Sequence, residues 1–110
     1  MENEKKLAES KLFTPYKLGS TTLRNRVIRS AAFESMGKDF APTQALKDYH
    51  VSVAKGGVGM TTVAYASINR SGISFNKQLW LRDEIVPALR DLTDAVHNEG
   101  AAVGIQLGHC

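Results

Sequence analysis

Lys55-Gly56-Gly57-Val58-Gly59-Met60-Thr61-Thr62-Val63-Ala64-Tyr65-Ala66 is the stretch that decides the fold class, because a helix stops and a strand starts within it. Glycine accepts the left-handed conformation that ends a helix, so Gly56-Gly57 terminates the run before it. Val58 to Ala66 then reads as a strand, rich in Val, Thr and Met. The glycines are a cap and a turn. A dinucleotide fingerprint needs strand before helix, and here the order is reversed.

Working back from this point, the spacing predicts a helix over residues 43–55, with Pro42-Thr43 as its entry and Thr43 as N-cap. Leu46, Tyr49 and Val53 recur at helical spacing and predict one apolar stripe. A loop with Gly37, Asp39 and Pro42 precedes it. Before the loop, Val27-Ile28-Arg29-Ser30 reads as a first strand that ends in the small residues Ala31 and Ala32. Gly19-Ser20 is a turn signal between two short β-leaning runs, which predicts a small hairpin within residues 12–23. Residues 1–11 are polar and are expected to form a disordered tail, leaving 12–110 as the domain.

Working forward, a long polar loop runs from Ser67 to about Asp83. A second helix follows, with Ile85, Leu89, Leu92 and Val96 on one face. Two starts fit: Asp83 is a good N-cap, but Pro87 inside a helix would lose a backbone bond, which favours a start nearer Pro87. Gly100 ends this helix, and Ala101 to Leu107 reads as a third strand. Strand, helix, strand, helix, strand, with no hairpin signal between the main strands, implies an α/β fold with parallel pairing and right-handed crossovers. A TIM-type barrel and a doubly wound sheet both open in this way.

Composition narrows the function. The chain has 110 residues, 43% apolar and 23% charged, with a formal net charge of +3. The basic residues are scattered among acids rather than gathered in a stripe, which argues against nucleic-acid binding. The one cysteine, Cys110, cannot form an intrachain disulfide. The charged start, Met1-Glu2-Asn3-Glu4-Lys5-Lys6, lacks the apolar core of a signal peptide, and no apolar run is long enough to span a bilayer. A cytoplasmic protein without membrane partners is expected. His50 and His97 lie on the two helices without metal-ligand spacing and read as surface or interface residues. His109 and Cys110 lack a third ligand nearby, so no metal site is expected.

In a parallel α/β protein, ligands meet the C-terminal ends of the strands. Ser30 to Ser35, Ala64 to Ala66 and Gln106 to His109 lie there. Their small side chains fit either tight packing of a rim or close approach of main chain to a flat ligand. Gln106 ends an otherwise apolar strand, where an unpaired amide would cost about 1–3 kcal/mol if buried. Its partner is either a neighbouring backbone group or a ligand with both donors and acceptors. In the loop after the second strand, Phe75, Gln78, Leu79 and Trp80 fit two readings, a pocket lining or a plug against the barrel.

Several blocks carry a resemblance. They are Leu12-Phe13-Thr14-Pro15-Tyr16-Lys17-Leu18-Gly19, Leu23-Arg24-Asn25-Arg26-Val27, Lys55-Gly56-Gly57-Val58-Gly59, Leu92 to Gly100, and Gly104-Ile105-Gln106-Leu107-Gly108-His109. In this order and spacing they resemble the N-terminal segment of the Old Yellow Enzyme family of NADH:flavin oxidoreductases. The resemblance implies the N-terminal part of a (β/α)8 TIM barrel: about three parallel strands and two helices after a short hairpin. It implies non-covalent FMN, NADH or NADPH as reductant, and a small-molecule substrate, often an activated alkene such as an α,β-unsaturated carbonyl. Carried over residue by residue, it implies flavin contacts at Ser30, Ala31, Ala32, Phe33, Ser35, Ala64 and Gln106. Ala31-Ala32 stands where many members have Pro-Met, and Phe33 stands where a flavin-tuning Thr or Cys is usual. Phe33 cannot donate a side-chain hydrogen bond.

A TIM barrel takes ~250 residues. The family's substrate-anchoring His/Asn or His/His pair, its proton-donating tyrosine and its phosphate loops would lie beyond Cys110, so the catalytic residues are unknown from this chain. The expectation is therefore an N-terminal fragment, inactive by itself. The alternative is a non-catalytic chain that works only by associating with itself or a partner, with homo-oligomers as its solution form.

Overall fold

In a computed structural model, residues 10–109 are described. Residues 1–9, most of the expected tail, and Cys110 lie outside them. Lys11–Phe13 forms a 3₁₀ turn, capped by the Ser10 hydroxyl, which accepts from the Leu12 amide. The expected hairpin follows. Strands β1 (Tyr16–Leu18) and β2 (Thr21–Leu23) pair antiparallel around Gly19, whose φ is +61°.

The main sheet is parallel throughout. β3 (Ile28–Arg29) pairs with β4 (Met60–Ser67), and β4 pairs on its other side with β6 (Ala102–Gly108). Between them in the chain, β5 (Leu79–Trp80) pairs parallel with the C-terminal end of β4. The sequence predicts no strand inside the long loop. A two-residue strand has no periodicity to read, so only the β4 edge reveals it.

Helix α1 (Gln44–Lys55) starts where expected: the Thr43 hydroxyl accepts from the Leu46 amide. Its buried residues are Leu46, His50 and Ala54. The predicted stripe of Leu46, Tyr49 and Val53 is thus rotated, and Tyr49 and Val53 are only half-buried. At its end Gly57, not Gly56, takes the left-handed conformation, with φ +107°. Helix α2 (Val86–Asn98) begins one residue before Pro87. Proline is tolerated in the first turn, where its missing N–H has no intrahelical partner. Leu92 and Val96 face inward.

Both helices cover one face of the sheet. Leu46, Ala54, Leu92 and Val96 pack with Val63, Ala66 and Leu79, and Val103 and Ile105 pack against this cluster. Side chains alternate along a strand, so Gly104 and Gln106 point to the opposite face. Gly104 does meet that face, since a Cβ added there would lie 2.7 Å from Met60 Cε.

Arg24 ties the hairpin end to both helices. Its Nη2 donates to Ala54 O (2.6 Å), Nη1 to Glu99 O (2.7 Å) and Nε to Val58 O (3.1 Å). A cation over helix C-termini satisfies orphan carbonyls and the macrodipole together. Lysine carries one ammonium and cannot span three carbonyls. Arg24→Lys is expected to cost about 1–2 kcal/mol, read as a lowered urea midpoint; an unchanged midpoint would contradict the bracing role.

Candidate flavin-facing rim

The sheet register brings the segment after β3 level with the C-terminal halves of β4 and β6. Arg29 is opposite Thr61, and Val63 is opposite Ile105. Each further residue advances about 3.3 Å, so Ala31 to Phe33 reach the level of Val63 to Tyr65. Direct contacts agree. Glu34 Oε2 accepts from the Ala64 amide at 3.1 Å, and the rings of Phe33 and Tyr65 lie 5.2 Å apart. The β4–β6 register shifts between Val63 and Ala66, and Gln106 falls beside that irregularity.

Ser30, Ala32, Phe33 and Ser35 are exposed, and Ala31 is half-buried. The ladder of β3 stops at Arg29, and neither Ala32 nor Phe33 donates its N–H to another backbone group. This stretch therefore presents free amides. Ser35 holds φ +58°, a left-handed conformation that costs a non-glycine residue about 1–2 kcal/mol. Ala64 is buried at 4% exposure, with its amide taken by Glu34, and the adjacent Tyr65 is half-buried at the rim.

Gln106 lies at this rim but is exposed, and among the described residues its carboxamide has no hydrogen-bond partner. The expectation that it ends a buried strand is corrected. Among the described residues β6 pairs only with β4, and the helix-free face that carries Gln106 is uncovered. Water meets its hydrogen-bonding needs, so the desolvation argument for a partner does not apply to this chain.

A buried polar network fixes the segment after β3. His50, 0% exposed, bonds Glu34 Oε2 through Nε2 (2.6 Å) and Thr61 Oγ1 through Nδ1 (2.8 Å). The same Glu34 oxygen lies 4.0 Å from Arg29 Nη1. Arg29 donates to Thr62 O and Ala32 O and lies over the Tyr49 ring. The reading of His50 as a surface or interface residue is therefore corrected. The face of α1 that meets β4 passes through it, and Glu34 folds inward to receive it. Sequence reading missed Glu34, Arg29 and His50 as site-forming residues. The signal available was the four-residue spacing of Leu46, His50 and Ala54. His97, by contrast, is exposed on α2.

The arrangement can receive a flat ligand with a polar edge. It offers free amides at Ala32 and Phe33, a carboxamide at Gln106 that both donates and accepts, and the small side chain of Ala64 between them. No helix among the described residues is long and apolar enough to cross a membrane.

Comparison with known proteins agrees with this fold. The NADH:flavin oxidoreductase / NADH oxidase family model matches residues 11–110. The 4,4'-dithiodibutanoate disulfide reductase of Rhodococcus erythropolis is 43% identical over 98 residues, 89% of this chain and 24% of that protein. Morphinone reductase in complex with tetrahydroNAD superposes with a TM-score of 0.80 at 25% identity, over 92% of this chain and 28% of that one. Old Yellow Enzyme from Pichia sp. AKU4542 shares the fold with a TM-score of 0.86 at 22% identity, over 94% of this chain and 27% of that one. The chain thus spans about a quarter of the length of these proteins and corresponds to the N-terminal part of their barrel. It belongs to the NADH:flavin oxidoreductase / NADH oxidase family, of the Old Yellow Enzyme type.

Proposed function

We propose that the protein to which this segment belongs is an FMN-dependent oxidoreductase acting on a small-molecule substrate. When bound, FMN carries two electrons from NADH or NADPH to an activated alkene such as an α,β-unsaturated carbonyl compound. One observation carries the reading: the open carboxamide of Gln106 and the free amides of Ala32 and Phe33 lie at one rim of adjoining parallel strands. Isoalloxazine requires such a surface, flat and with alternating donors and acceptors along its pyrimidine edge. The residues present fit it.

In this reading Gln106 bonds the pyrimidine edge. Ser30, Ala31, Ala32, Phe33 and Ser35 approach the ring mainly through backbone, and Ala64 keeps the floor shallow. Glu34 and His50 hold the approach segment in place from below. Family membership over residues 11–110 supports an enzyme origin and does not favour the non-catalytic alternative.

The test is direct. The purified full-length parent should show flavin absorbance and release FMN on denaturation. Gln106→Leu removes both a donor and an acceptor and should weaken FMN binding about tenfold or more. A folded, colourless protein that takes up no added FMN would overturn the proposal.

A further inference from the structure

We propose that Phe33 and Phe75 form a shelf that determines specificity, taking the flat apolar part of the substrate, such as an aryl or fused hydrocarbon ring conjugated to the activated alkene. The inference rests on the flavoenzyme reading above and adds a substrate class to it.

Two loops that follow the ends of β3 and β4 build this shelf. The rings of Phe33 and Phe75 lie 5.5 Å apart at an interplanar angle of 26°, and the Tyr65 ring lies tilted against Phe33. Phe75 is 57% exposed and Phe33 is 38% exposed. An aromatic side chain this exposed on a loose loop would mean little. This loop is held.

Its anchor is Gln78, which is 0% exposed. Gln78 Oε1 accepts from the Ser74 amide (2.7 Å), the Phe75 amide (3.0 Å) and the Ser74 hydroxyl (3.1 Å), while Nε2 donates to Leu79 O. The Ser74 hydroxyl also meets the Tyr65 hydroxyl at 2.6 Å. The Gly37 amide donates to Lys77 O, and a Cβ on Gly37 would lie 2.5 Å from that oxygen, so the two loops touch backbone to backbone.

The consequence is chemical. The polar tips around the rings are already bonded to one another, and hydrocarbon faces outward. The polar edge of a flavin would find its partners at Gln106 and the main chain of Ala32 and Phe33, not here. Phe33 belongs to both surfaces, so the shelf continues the flavin-facing rim outward. Rigid, half-exposed aromatic faces beside a redox site suit a planar apolar substituent, which gains both burial and ring stacking.

The experiment uses the whole protein and two probes, benzylideneacetone, which carries an aryl ring, and cyclohexenone, which does not. Binding to the oxidised protein is measured by calorimetry without reductant, and turnover with NADH or NADPH is measured separately. Phe75→Ala should weaken benzylideneacetone binding about tenfold and raise its KM in step, with kcat little changed. Cyclohexenone should respond less than about twofold, and Phe75→Tyr should restore the aryl preference. Phe75 is exposed, so these variants should fold; their melting temperatures check it. Equal effects on both probes, no effect on either, or loss of stability without loss of aryl binding would overturn the shelf. Absence of bound FMN from the parent protein would sink the flavoenzyme reading instead. Calorimetry with benzylideneacetone on parent and Phe75→Ala would still decide the shelf, with equal or undetectable binding counting against it.

Discussion

His50→Ala is expected to lower stability by about 3–5 kcal/mol, the cost of leaving one member of a buried polar pair without its partner. The side chain of Glu34 is 1% exposed, and its Oε2 faces His50 at 2.6 Å. Removing the imidazole leaves that oxygen with the Ala64 amide and a distant Arg29, and it strands the Thr61 hydroxyl. The cavity adds to the loss, because β4 and α1 cannot collapse onto each other across a missing ring. A total of this size is a large share of the roughly 5–15 kcal/mol that holds a domain together. Thr61→Val, which removes one hydrogen bond at nearly constant shape, should cost only about 1 kcal/mol. Urea denaturation of the parent and both variants checks the ordering. If His50→Ala moved the midpoint no more than Thr61→Val, the network would not be what fixes the segment after β3.

Leu92→Ala should produce a loss of similar size by a different route, about 3–5 kcal/mol from a cavity in a close-packed core. Leu92 is 1% exposed and sits in the cluster that joins both helices to β4. No polar group is stranded, so the cost is lost transfer energy plus the unfilled volume. The same change at Leu12, which is 44% exposed, should stay within about 0.5 kcal/mol. Thermal or chemical unfolding of the two variants separates the cases, and a Leu92→Ala effect near that of Leu12→Ala would mean the helix layer is not the core. Because Leu92 is remote from Glu34 in function, its loss should leave the FMN affinity of the folded fraction unchanged, whereas His50→Ala should weaken it.

The amino-acid sequence determined the alternation of strands and helices, the Thr43 cap, the start of the second helix near Pro87 and the hairpin at Gly19. These depend on local rules: which residue can cap, which can adopt positive φ, which spacing makes a stripe. It also placed Ser30 to Ser35 just past a strand, because in a parallel sheet chain direction fixes which ends converge. Ala64 and Gln106, expected at strand ends, lie two to three residues before them, since β4 runs on to Ser67 and β6 to Gly108. Tertiary structure alone decided the rest. The inward face of α1 was turned by about one residue, since Glu34 and Thr61 together offer His50 partners that no helical periodicity can foresee. The short β5 exists only because the free end of β4 gives it an edge to pair with. Gln106 is exposed because burial depends on what covers a face, and a strand's own residues carry no information about its neighbours.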